Sequence, residues 1–480
     1  MRAKTKLSPP GARHGVFPLL AHVLPGWLMA KINPHAPTHH WHLPGGLWIE
    51  GPLDINIFER SWGVMIQRHE TLRSTFRASL LGKPLQRIHR STPLGLERVD
   101  LMNYPSEVRE SVLRDGMREQ LLLSFDWEHT PPWRITLYRL DRDRYFCFLA
   151  IHHMIFDAWS QRALLQDLTA FYGAYASGAS APLVPAPGQY ADYIAEHMTA
   201  LEGGKLENAL AYWERVIMPP PTFLDALFDH PLYPNYPHAG CFEPFSVPHS
   251  LHKDLIRASQ ALKTTLFALL LANFSLLLYR RTREERLIIS VPVANRTRAT
   301  HKNAIGCFGR LLPIEARLDE SLSFRQLVQE IGLTVREGLK HQDVPMLRVF
   351  ERLHLKDPKY WSAMNQVTFA YQNALQSRVE VAGVSFSLDV HWDLLGIARG
   401  PLICQIHESV DGLHGHWEYT TCLFDKETVV CWIEEYLRLM QVATVQPDAS
   451  IQTILNAATL EAGESSTNTQ GDWILGEENP

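Results

Sequence analysis

The chain has 480 residues, 46% hydrophobic and 20% charged, with 46 Lys and Arg against 51 Asp and Glu. Five of the acids (Glu461, Glu464, Asp472, Glu477 and Glu478) fall in the last twenty residues, with no basic residue among them, so the rest of the chain is near neutral. That excludes the basic field of a nucleic-acid binder, and the length predicts two lobes rather than one core.

Residues 1–15 are expected to be disordered. Arg2, Lys4 and Lys6 precede the apolar stretch Val16–Ala30, but Pro18, His22 and Pro25 interrupt it and no small-residue cleavage site follows, which argues against a signal peptide. His35, His39, His40 and His42 crowd one short segment, where Pro34 and Pro37 predict a loop rather than a metal site. A short strand is predicted at Leu47–Ile49, then an amphipathic helix over Leu53–Glu70 with Phe58, Trp62, Met65 and Ile66 on its core face. The helix runs into RHETLRSTF, where Arg73, between Leu72 and Phe76, needs an anionic partner if it is buried. Glu107–Leu123 reads as a helix. Trp133–Leu140 and Tyr145–Ile151 alternate as a hairpin, and Ser160–Tyr175 continues as a helix.

The uncharged stretch 176–188 (ASGASAPLVPAPG) is the predicted linker between a first lobe, 16–175, and a second, 189–456. In the second lobe Thr264 or Thr265 caps a helix through Leu278 whose apolar run is too short to span a bilayer. Strands follow at Leu287–Val291, Gln366–Ala370 and Leu413–Thr421, with helices at Phe324–Leu339 and Lys426–Met440. Residues 457–480 read as a disordered acidic tail carrying one apolar cluster, Asp472, Trp473, Ile474 and Leu475. The six cysteines show no CxxC spacing and are read as free thiols of a cytoplasmic protein; no metal and no membrane association is expected.

The stretch that carries chemistry is IHHMIFDAWS, 151–160. An apolar strand delivers His152 and His153 and is followed by Asp157. Ionisable groups at the end of a buried strand are costly unless paired or used. A neutral imidazole can take a proton from a bound nucleophile, and no GxSxG elbow points to a covalent acyl-enzyme. Asp157 reads as a structural carboxylate paired with an arginine. A core histidine beside a helix-capping Asp is the plainer alternative.

These residues resemble the HHxxxDGWS signature of the condensation domains of nonribosomal peptide synthetases. Arg68–Phe76 is similar to RHExLRTxF in that family, Tyr190–Tyr193 to YxDYA, and Pro292–Arg296 to its PVANR segment. Ile305–Phe308 with Leu312 and Pro313 resembles IGxFVNTLP, His341–Pro345 HQDxP, Gln366–Asn373 QVxFxxQN, and Glu418–Asp425 EYxTDLFD. The resemblance implies an α/β fold of two chloramphenicol-acetyltransferase-like lobes in a V, with the active site at their junction. It implies that His153 is catalytic and that His152 and Asp157 are architectural, with Arg73 as the first choice and Arg68 as the second choice of partner for Asp157. Ala158, Trp159, Ser160, Asn295, Gly309, Arg310 and Gln366 are the implied tunnel residues.

The implied reaction is acyl or peptidyl transfer from a carrier-protein thioester to an amine or hydroxyl. The acceptor is carrier-bound or a free small molecule. The phosphopantetheine belongs to the partner carriers, no cofactor is bound, and the enzyme is expected to be monomeric. An epimerisation domain and a non-catalytic domain that recruits carriers are the alternatives. Ala158 stands where the family has Gly, and Gly309-Arg310 where Val-Asn is common. No adenylation or carrier segment follows in the sequence, so a free-standing enzyme is expected, with residues 472–475 as candidate docking contacts.

Overall fold

The hairpin expected between Trp133 and Ile151 forms the middle of a six-stranded sheet. In the computed structural model its strands are Trp133–Asp141 and Arg144–His152. The structure describes residues 14–18, 41–79, 84–180, 188–204, 206–232, 238–372, 378–409 and 412–465. The strand order is Arg378–Val381, Val384–Val390, His42–Glu50, Arg144–His152, Trp133–Asp141, Glu97–Asp100. All neighbours are antiparallel except the last pair. Leu43, Leu47, Ile49, Cys147, Leu149 and Ile151 face one core together with Phe58, Trp62, Met65 and Ile66 of helix Ile55–Arg68. That helix starts where Asp54 accepts hydrogen bonds from the amides of Asn56 and Ile57.

Strand His42–Glu50 is longer than predicted, because Pro44, Gly45 and Gly46 lie inside it. Gly46 leaves room for the ring of Phe146: a Cβ there would sit 2.2 Å from its Cζ. Gly46→Ala is therefore expected to cost about 1–3 kcal/mol by overpacking. Chemical denaturation reads this directly, and an unchanged midpoint would mean that the ring moves aside freely.

The second six-stranded sheet has the order Arg310–Arg317, Arg286–Val293, Val367–Gln372, Leu402–Ser409, Gly412–Thr420, Gly240–Val247. Val367–Gln372 pairs in parallel with both neighbours and the remaining pairs are antiparallel. Helix Leu266–Thr282, capped by Thr265, is buried from Ala268 through Tyr279 in this core. Among the described residues no single helix is long and apolar enough to cross a membrane.

Each large sheet stays within one compact unit. The first comprises 1–205, 294–309 and 376–395; the second comprises 206–293, 310–375 and 396–480. This corrects the expected boundary at 176–188. Helix Tyr190–Glu202 belongs to the first unit, and so do two later segments, one of which supplies strands Arg378–Val381 and Val384–Val390. Residues 181–187 of the expected linker lie outside the described residues.

The expected tail is also corrected. A helix covers Ile451–Ser465, because Ile451, Ile454, Leu455 and Ala458 form an apolar stripe at helical spacing, buried in the core of the second unit. Residues 1–13, the histidines at 35, 39 and 40, and the cluster at 472–475 lie outside the described residues. His42, expected in a loop, opens a strand instead; its Nδ1 donates to the carbonyl of Leu121 at 2.6 Å.

Candidate active site

Strand Arg144–His152 ends on His152, and a 3-10 turn, His153–Ile155, reverses the chain. Asp157 then caps helix Ala158–Ala176 by accepting the amide of Ser160 at 2.9 Å. The turn explains why adjacent histidines have different surroundings. His152 is buried with its ring centroid 5.1 Å from that of Trp127 and 5.8 Å from that of His42. Its Nδ1 accepts the amide of Met154 at 3.0 Å. Burial, then His42 and His153 beside it, push its pKa well below the usual value, so it is a neutral framework residue.

His153 is half-buried, and its Nδ1 lies 2.7 Å from the carbonyl oxygen of Phe156. A carbonyl only accepts, so this contact assigns the proton to Nδ1 and leaves the Nε2 lone pair free to act as a base. Cys307 Sγ lies 3.7 Å from the same Nδ1, and the ring of Trp41 stands 6.3 Å from that of His153. Sequence reasoning missed both neighbours, since nothing in their local pattern marks them.

Asp157 is the structural centre. Arg296 donates to both of its oxygens, at 2.8 and 2.9 Å. Ser160 Oγ donates at 2.8 Å, and the amides of Phe308 and Gly309 donate at 3.0 and 3.2 Å. Burial alone would raise the Asp157 pKa, yet the paired guanidinium holds it below the ordinary carboxylate value. Arg296 also stacks over Phe308, with its Cζ 4.3 Å from the ring centroid.

The partner expected for Asp157 is thereby corrected. Arg68 donates instead to Asp167 at 2.7 Å, an oxygen it shares with His69, and the buried Arg73 faces Glu70 at 3.8 Å. The RHETLRSTF arginines are answered by other acids. The usable signal was Arg296 itself, the one cation of PVANR.

Several residues expected to line a tunnel make hydrogen bonds within the fold. Ser160 is fully buried and bridges Asp157 to Gly306, donating to the carboxylate and accepting the Gly306 amide at 3.1 Å. Asn295, at a left-handed φ of 49°, donates to Tyr193 Oη and the Phe308 carbonyl. Gln366 accepts the amide of Leu224 and donates to the carbonyls of Thr222 and Ala363. Arg310 is buried at the start of its strand. Gly309 spends its amide on Asp157, and Trp159 donates to the carbonyl of Lys302 at 2.8 Å. Ala158 remains exposed at the first turn of its helix, one residue from Asp157.

A family model described as Condensation domain matches residues 25–462. The chain belongs to the condensation domain family. One linear gramicidin synthase protein of Brevibacillus parabrevis is 29% identical over 435 residues, which is 91% of this chain and 6% of that protein. Another protein of the same synthase is 31% identical over 428 residues, 88% of this chain and 8% of that protein. This condensation domain thus spans less than a tenth of the length of these relatives. The X-domain from teicoplanin biosynthesis shares its fold with a TM-score of 0.77 at 24% identity, covering 90% of this chain and 96% of that one. SgcC5 protein from Streptomyces globisporus does so with a TM-score of 0.71 at 23% identity, covering 86% and 94%. Condensation domains generally form amide bonds and work with carrier-protein domains.

Proposed function

We propose that this condensation domain transfers an acyl or peptidyl group from a thioester, borne on the phosphopantetheine arm of a carrier protein, to an amine or hydroxyl. The observation that carries the reading is His153 with Nδ1–H tied to Phe156, which leaves Nε2 unprotonated. The acceptor's N–H or O–H gives its proton to Nε2 as its nitrogen or oxygen attacks the thioester carbon. The tetrahedral intermediate then expels the thiolate, which takes the proton back from the imidazolium. His152 and the Asp157–Arg296 pair hold the turn that aims His153.

The test is product analysis by mass spectrometry, with acyl-loaded carrier protein mixed with amines, alcohols or aminoacyl carriers. A new amide or ester that forms only with enzyme supports the reading, and donor that is merely hydrolysed or left intact overturns it. A solved complex of an X-domain with OxyB, whose X-domain chain is 24% identical to this one, favours a second reading in which the domain holds a partner protein. Turnover separates the two.

A further inference from the structure

Antiparallel pairing brings Trp41 to the proposed base. Strand His42–Glu50 begins where strand Arg144–His152 ends, with His42 opposite His152. Trp41 precedes the first strand and His153 follows the second, so both leave the sheet at the same end, and their ring centroids stand 6.3 Å apart at 50°. The next residue fixes the start of the strand. His42 is buried, its Nδ1 donates to the Leu121 carbonyl, and its ring centroid lies 4.5 Å from that of Phe125. Trp41 itself is 37% exposed, and among the described residues nothing accepts its Nε1–H.

The other donors named around the turn are spent. The Met154 amide goes to His152, and Ser160 Oγ and the amides of Phe308 and Gly309 go to Asp157. The indole N–H of Trp159 goes to the Lys302 carbonyl. A base is half of what acyl transfer needs. Attack moves the carbonyl π pair onto oxygen, and a positioned donor stabilises that charge. A base acts at about 2.6–3.2 Å from the nucleophile and such a donor at about 2.7–3.1 Å from the oxygen. Two rings 6.3 Å apart are separated by a distance that one reacting carbonyl spans.

We infer that Trp41 is a catalytic hydrogen-bond donor, giving its Nε1–H to the carbonyl oxygen of the donor thioester as the acceptor attacks. The inference rests on the acyl-transfer reading above, with His153 as the base. As the acceptor's nitrogen or oxygen bonds to the thioester carbon, the C=O π pair moves to oxygen and is held by the indole N–H, which keeps its own proton. When the C–S bond breaks, the pair returns to the carbonyl and the thiolate takes the proton from the His153 imidazolium.

The test replaces Trp41 in the whole protein by phenylalanine and, separately, by β-benzothienylalanine, an isostere of tryptophan with sulfur in place of N–H. In both variants kcat for acyl transfer should fall roughly ten- to a hundredfold, less than for a fully enclosed oxyanion donor because the indole is partly exposed. KM for the loaded donor carrier should stay within about threefold of wild type. The isostere keeps the ring against His153, so a loss confined to Trp41→Phe, or a wild-type kcat in both variants, would overturn the inference. Infrared spectra of a bound acyl-pantetheine thioester, isotope-labelled at the carbonyl carbon and given no acceptor, add a readout without turnover. The carbonyl stretch should be lower in wild type than in the isostere variant, and equal frequencies would overturn the inference. A protein that shows the lowered stretch without transferring acyl groups would refute only the reading above. An enzyme that transfers acyl groups at the wild-type rate with the isostere would refute only this inference.

Discussion

His153→Ala should slow acyl transfer by roughly two to four orders of magnitude, the range of a lost general base, while stability changes by about 1 kcal/mol or less. The contrast comes from what the side chain touches. His153 is half-buried, and among the described residues its shortest hydrogen bond goes to the carbonyl of Phe156, three residues along the same turn. His153 itself is not among the buried core residues, so removing its ring empties no core. Single-turnover kinetics with loaded donor carrier is the measurement. A His153→Ala rate equal to wild type would remove the residue from the chemistry. His153→Gln, which can still donate to Phe156 but cannot take a proton, should be as slow as His153→Ala; recovery of the rate in that variant would assign His153 a purely orienting role.

Asp157→Ala should behave in the opposite way, unfolding more readily by about 3–5 kcal/mol because it strands the buried Arg296 charge. It also leaves the amides of Phe308 and Gly309 without their acceptor. Replacing both Asp157 and Arg296 with apolar residues should recover part of the loss, since no lone charge then remains buried. The pH dependence has a definite sign. The folded-state pKa of Asp157 lies below its unfolded value of 3.8, so its contribution is complete well above that pH and fades as pH falls through the folded value. The stability gap between wild type and Asp157→Asn should therefore be widest at neutral pH and narrow below about pH 3.8. Urea denaturation across that range checks both statements, and a gap that grows on acidification would refute them.

What could be read from the residues alone follows the range of the interactions. The hairpin around Arg144–His152 and the helices from Ile55, Ala158, Leu266, Phe324 and Lys426 rest on local alternation, helical periodicity and caps, and they were legible within a residue or a few. The motif singled out His153 of the pair, and the turn supplies the reason that it is less buried than His152. Tertiary pairing was not legible. Nothing near Asp157 indicates that its cation lies 139 residues away at Arg296 rather than in RHETLRSTF. Strand Val384–Val390 pairs with His42–Glu50, a partner that only the folded chain reveals. The terminal helix was missed because the charged composition beyond residue 460 outweighed a four-residue apolar stripe before it.

The interleaved order of the two units has a consequence for how the protein is made. Trp48, on a central strand of the first sheet, hydrogen-bonds Asp389, 341 residues later. At about 5–20 residues per second on the ribosome, the first unit waits roughly 17–70 s between the emergence of Trp48 and that of its partner. For the earlier part of that interval Asp157 has no Arg296, and throughout it the outer edge of strand His42–Glu50 is bare. A nascent chain stalled anywhere before residue 395 should therefore bind holding chaperones and yield readily to protease. The domain is then a single unit of synthesis even though it holds two cores, and a gene fragment cut at residue 205 would not give a soluble first half.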